Sequence, residues 1–165
     1  MATPLVVRKI TEADLADVLS INNTNTPAVG FVEMDQLQFL VQHSQHALVV
    51  ADDTVKAFCI TLGHDTPYQS PNYLWFASRY SHFIYLDRIA VANGFQGQGL
   101  GAMLYEQVES QMSNSHPGAV LCCEVNVEPP NPGSLRFHQR LGFTEVGQFA
   151  PKTEYVVSLM IKTPR

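Results

Sequence analysis

The feature that most constrains this chain is the run over residues 83–108: FIYLDRIAV, then ANGFQGQGLG, then AMLYEQV. Read in order it is an apolar strand, a glycine-rich turn and the first turns of a helix. Gln96, Gly99 and Gly101 stand in the pattern Q-x-x-G-x-G, with Ala102 next. Small residues let the backbone approach a ligand closely, and their amide N–H groups can point at phosphate oxygens. The helix that follows adds its positive end to the same spot. Gln96, Gly97, Gln98, Gly99, Leu100, Gly101 and Ala102 therefore form a candidate anion cradle. For the loop taken alone, a tight strand-to-helix turn without a ligand is the plainer alternative.

Two familiar phosphate sites are excluded by what the turn lacks. It has no Gly-Lys-Ser/Thr ending, so no lysine reaches a terminal phosphate and no hydroxyl holds magnesium. Gly97, Gly99 and Gly101 miss the G-x-G-x-x-G spacing of a dinucleotide site, and the unit comes late in the chain. No G-x-S-x-G elbow occurs, which leaves a serine hydrolase unsupported. His43 and His46 stand three residues apart with no third ligand, so no metal is expected.

Composition removes further classes. The 165 residues have room for one compact domain and little for a second, so 1–165 is expected to be a single domain. A net charge of -5 gives no basic field for nucleic acid or anionic lipid. No apolar run reaches transmembrane length, and MATPLVVRKI at the start contains no long apolar leader, so no membrane is expected as a partner. Cys59, Cys122 and Cys123 are an odd set in strand-like runs, and they read as buried thiols in a reducing cytoplasm.

Along the chain, residues 5–8 read as a first strand, and Thr11 caps a helix carrying Leu15, Val18, Leu19 and Ile21. A polar break covers 22–30, a second helix 35–44, and a hairpin pairs 47–51 with 55–62. The connection over 63–81 is long and rich in aromatics, with Tyr68, Tyr73, Trp75, Phe76 and Tyr80. Tyr73, Trp75 and Phe76 are candidates to line a substrate pocket; equally, they complete the core from a short helix. The helix behind the cradle runs to about 113, a strand covers 119–127, and a last helix covers 134–141. Two late strands lie near 145–149 and 155–161. This order suggests an α/β (α+β) fold with a mixed, mostly antiparallel central sheet flanked by helices.

The cradle run resembles motif A of the GNAT acyl-CoA N-acetyltransferases, and the order of elements is similar to theirs across nearly the whole length. YQSPNYLWF, FIYLDRIAV and EVNVEPPNPGSLRFHQRLGF extend the resemblance to a subgroup of predicted GNAT acetyltransferases. The resemblance implies the GNAT fold, acetyl-CoA as acyl-donor cosubstrate without a metal, and direct attack in a ternary complex. It assigns the cradle to the coenzyme pyrophosphate, and the backbone of Ile89, Ala90 and Val91 to the pantetheine arm and acetyl carbonyl. A backbone N–H there would be a preorganised oxyanion donor. Asn131 resembles the family's coenzyme-contacting asparagine, and the helix from Ser134 would flank the sulfur.

Many members carry a tyrosine, acting as acid toward the departing thiolate, where this chain has His138. With an ordinary pKa of about 6.5, His138 can be that acid only as the imidazolium, and packing at the helix face is its alternative. Glu124 is the candidate base, on one strand face with Cys122 and Asn126, near where some members place a catalytic glutamate. A solvated or paired strand charge is the other reading of it. Asp87 is a second acid, suited to a substrate ammonium, whereas Arg88 faces away and pairs with a neighbour. The implied activity is acetylation of the primary amine of a small metabolite, an amino acid or related amine. A protein or peptide acceptor, and a non-catalytic acyl-CoA-binding module, are its rivals. A homodimer is among the assemblies the family forms.

Overall fold

The computed structural model describes residues 3–164; residues 1, 2 and 165 of the expected domain lie outside them. In chain order the elements are β1 (Val6–Lys9), α1 (Leu15–Thr24), α2 (Met34–Gln42), β2 (His46–Ala51), β3 (Val55–Gly63) and α3 (Pro71–Ala77). There follow β4 (Phe83–Val91), α4 (Leu100–Ser115), β5 (Val120–Glu128), α5 (Pro132–Arg140), β6 (Thr144–Lys152) and β7 (Tyr155–Lys162). The seven strands are ordered β1-β2-β3-β4-β5-β7-β6. The pairs β1/β2, β2/β3, β5/β7 and β6/β7 are antiparallel and β4/β5 is parallel, the mixed sheet expected from the sequence. Two compact units divide the chain: residues up to Leu62 with Leu86–Gln111, and Gly63–Tyr85 with the residues from Met112 onward.

In the first unit, β2 and β3 are buried almost without interruption, as strands covered on both faces are. Val18, Leu37 and Leu40 from the helices and Leu100, Leu104 and Val108 from α4 are fully or nearly fully buried in its core. A 3-10 turn over Glu12–Asp14 comes between Thr11 and α1, a start later than expected. The Asp14 carboxylate explains it, because it accepts from the Thr11 amide at 2.8 Å and from Arg8 at 2.7 and 3.0 Å. These bonds, the Arg8 contact foremost, pull the Asp14 pKa down to about 2. At its other end α1 runs through Asn22 to Thr24, past the expected break. Asn22 is fully buried there, and its amide donates to the Gly30 carbonyl at 3.0 Å. A polar residue enters the interior because its hydrogen bonds are met.

The second unit packs Phe83, Ile84 and Tyr85 of β4 beside Leu121, Cys122 and Cys123 of β5, with Leu159 and Met160 of β7. β6 pairs with β7 alone and ends the strand order, which is why Pro151 can lie within it. α3 lies inside the long aromatic connection, and Trp75 sits over β6 where Gly147 presents no side chain. A Cβ on Gly147 would stand 3.2 Å from the indole. All three cysteines of the chain are buried; burial pushes the Cys59 thiol up to about 12 and the Cys122 thiol well above its ordinary range.

Candidate active site

In the first unit the site begins where β4 ends. The Ala92 amide donates to the Lys56 carbonyl at 2.8 Å, and the Phe95 amide to the Ala92 carbonyl at 3.0 Å, closing a tight turn. Gly94, Gly97 and Gly99 take φ of +89°, +78° and +80°, a backbone that L side chains rarely adopt. A Cβ on Gly97 or Gly99 would meet no atom within 4 Å, so open space stands over both. Gln96, Gly97, Gln98 and Gly99 are exposed, Leu100 anchors α4 in the core, and Gly101 and Ala102 are half-buried. The Gly99 carbonyl accepts from Met103, which opens the helix directly behind the loop. The first amides of α4 thus begin at an open glycine surface, the arrangement an anion needs.

The Val91 carbonyl ties this loop to the rest of the unit. It accepts from Asn25 Nδ2 at 3.1 Å and from Gln96 Nε2 at 3.4 Å. Upstream on β4, Arg88 is buried: Nε donates to Asp87 Oδ2 at 2.7 Å, and Nη1 to Asn22 Oδ1 at 2.9 Å. Asp87, the candidate ammonium ligand, is therefore committed to an ion pair, and its side chain is only 4% exposed. Ile89 and Val91 are half-buried and Ala90 is buried, in a strand whose backbone, not its side chains, carries their expected role.

In the second unit, Glu124 Oε2 accepts from the Tyr85 hydroxyl at 2.6 Å. The parallel register sets Tyr85 against Cys122, so Glu124 is the same-face neighbour one step along β5. Tyr85 is fully buried and meets Tyr73 edge-on at 5.5 Å, while Glu124 is half-buried. A buried phenol holding one carboxylate oxygen fixes the orientation of the other. Sequence reasoning passed over Tyr85.

Asn131 is the N-cap of α5: its side-chain oxygen accepts from the Ser134 amide at 3.3 Å, with Pro132 at the first helical position. One turn on, His138 is 4% exposed, between Phe137 and Phe143 edges. Its Nδ1 lies 2.8 Å from the Ser134 carbonyl, which only accepts, so Nδ1 carries the proton and the neutral ring has Nε2 as an acceptor. Burial holds its pKa below the ordinary value. An acid role requires the imidazolium that this burial disfavours.

The same burial makes a stability prediction. The unfolded chain takes the proton more readily, so the contribution of neutral His138 is complete above about pH 6.5 and is lost as pH falls through the lower folded-state value. His138→Gln is expected to flatten the fall in thermal midpoint between about pH 7 and pH 5. Calorimetry at stepped pH checks it, and parallel curves for the two proteins count against a buried neutral ring.

The aromatic candidates divide. Tyr73 and Phe76 are core residues, 2% and 0% exposed, and Tyr73 donates its hydroxyl to the Gly63 carbonyl at 2.6 Å. Trp75 is half-buried, with the Arg79 guanidinium 3.8 Å from its ring. Completion of the core from a short helix is thus what Tyr73 and Phe76 do. Among the described residues no group of His, Cys, Asp and Glu is arranged to hold a metal, and no helix is long and apolar enough to cross a membrane.

A glycine turn at a helix start, following a strand with a parallel partner, is the arrangement on which the sequence resemblance rested. The chain matches the acetyltransferase (GNAT) family over residues 15–143, and it belongs to that family. It is an acyltransferase by that membership. The ribosomal-protein-S18-alanine N-acetyltransferase from Escherichia coli superposes with a TM-score of 0.72 at 17% identity, covering 98% of this chain and 94% of its own. An N-acetyltransferase from Staphylococcus aureus gives 0.72 at 18% identity, covering 99% of this chain and all (100%) of its own. Arabidopsis thaliana NAA60 in complex with acetyl-CoA gives 0.73 at 14% identity, covering 97% and 99%. At these identities the likeness is one of fold. No curated protein matches the sequence.

Proposed function

We propose that the chain is a single-domain, acetyl-CoA-dependent N-acetyltransferase of the cytoplasm, acting on the primary amine of a small metabolite such as an amino acid. The observation that carries this reading is the open glycine surface at the start of α4. A phosphate would sit over Gly97 and Gly99, where a Cβ would meet no atom within 4 Å, and the amides of Gln96–Ala102 would hold it. Bound acetyl-CoA supplies an activated thioester to the acceptor amine. A backbone N–H at Ile89, Ala90 or Val91 would stabilise charge on the carbonyl oxygen. Glu124, held by Tyr85, would take the ammonium proton, directly or through one water, and leave the amine nucleophilic. Asn131 and Ser134 are the proposed coenzyme contacts on α5, and Trp75, half-buried where Tyr73 and Phe76 are buried, is the proposed acceptor contact among those three aromatics.

A peptide N-terminus is the second reading, favoured by the fold likeness to the ribosomal-protein-S18-alanine N-acetyltransferase. One assay separates the two and tests both. Release of CoA from acetyl-CoA is followed with pooled amino acids, polyamines, amino sugars and short peptides as acceptors. Rapid release is expected with one amine pool; release with peptides alone moves the acceptor class. Intact acetyl-CoA binding with silence from every pool would leave a binding module, and absence of binding would overturn the reading.

A further inference from the structure

Coenzyme A carries a pyrophosphate and a 3′-phosphate, together about three to four negative charges near neutrality. The cradle offers them neutral amides, and the chain as a whole carries a net charge of -5. A cation close to the cradle would add to what the amides offer. Among the described residues of the first unit the basic side chains are Arg8, Lys9, Lys56 and Arg88. Arg8 is held by Asp14, and Arg88 is buried on Asp87 and Asn22. Lys9 lies on β1, three places from β4 in the strand order, roughly 14 Å at ordinary strand spacing.

Lys56 is placed differently. Its carbonyl receives the Ala92 amide at the root of the cradle turn, and its ammonium lies 4.6 Å from the centre of the Phe95 ring. Phe95 immediately precedes Gln96, the first residue of the cradle. The same ammonium is hydrogen-bonded to Thr54 Oγ1 and stands 3.4 Å from Asp52 Oδ1. The Asp52 carboxylate is in turn fixed by the Thr54 amide at 2.9 Å. The loop between β2 and β3 thus holds a lysine against the cradle turn, beside one carboxylate of opposite sign.

We infer that Lys56 is a coenzyme-binding residue that offers its ammonium to a phosphate of acetyl-CoA, with Asp52 competing for that charge. This rests on the acetyl-CoA reading above. It makes the two side chains act in opposite directions: removing the ammonium leaves Asp52 as an uncompensated anion near the cradle, and removing the carboxylate releases the ammonium.

Titration calorimetry of the intact protein with acetyl-CoA and with its 3′-dephospho form tests this without any turnover. Lys56→Met is expected to raise Kd about tenfold and Asp52→Asn to lower it about threefold, with Lys56→Arg near the parent. A rise with both ligands places the contact at the pyrophosphate, and a rise with the full coenzyme alone places it at the 3′-phosphate. Either supports the inference, and loss of the Lys56→Met effect in high salt supports it further. An unchanged Kd in Lys56→Met overturns it. So do shifts of Lys56→Met and Asp52→Asn in the same direction, which would report a disturbed turn instead of a charge. A parent protein that binds neither ligand overturns the acetyl-CoA reading itself, a result separable from the failure of Lys56 alone.

Discussion

Glu124→Gln is expected to lower turnover by about 10²- to 10⁴-fold while acetyl-CoA affinity stays within about twofold of the parent. The amide oxygen of glutamine can still accept from the Tyr85 hydroxyl, so the packing around 2.6 Å of contact persists while the proton acceptor is gone. A steady-state rate against pH separates this from a structural defect. The variant's rate should lie below the parent's at every pH where both stay folded, with acetyl-CoA affinity unchanged. Tyr85→Phe is the companion: it keeps the carboxylate and removes its orienting bond, so a smaller fall is expected, mainly in turnover. Equal rates for Glu124→Gln and the parent across the accessible pH range would remove Glu124 as the base.

The second large effect concerns coenzyme binding. Gly99→Glu is expected to abolish it, weakening affinity by at least about 100-fold. The position has φ +80° with nothing within 4 Å of a built Cβ, so the side chain would stand in the open space over the loop. It would fill the proposed phosphate position and add a like charge. Left-handed backbone adds strain of about 1 kcal/mol, which Gly99→Ala carries without the carboxylate. Calorimetry on both variants, with circular dichroism to establish folding, separates strain from obstruction. A folded Gly99→Glu protein with parental affinity would end the assignment of this loop to the coenzyme.

What could be read from the sequence follows from how local each signal is. The strand, glycine turn and helix were legible because all three are written in adjacent residues within 83–108. The hairpin of β2 and β3 was legible because its turn and its apolar runs are contiguous. Tyr85 was missed because its bond to Glu124 spans 39 positions and depends on a parallel register that nothing local records. Asn22 reads as a break because asparagine usually is one; its bonds to Asn23, to the Gly30 carbonyl and to Arg88, 66 positions on, make its burial acceptable. Tyr73 and Phe76 carried two readings because periodicity cannot distinguish a pocket wall from a core. His138 is the instructive case: its position in the motif suggested an acid, while its burial and its Nδ1 bond are properties of the folded helix face alone.

The buried cysteines bear on how this enzyme can be assayed. With Cys59 pushed up to about 12 and Cys122 well above its ordinary range, neither presents a thiolate at neutral pH. A buried, protonated sulfur of this kind is a poor nucleophile toward a thioester. A thiol-reactive dye added to the native protein meets three buried sulfurs, so colour developed during turnover belongs to released CoA. The same dye then reads integrity: a slow additional signal in a stored sample marks chains that have opened and exposed their cysteines.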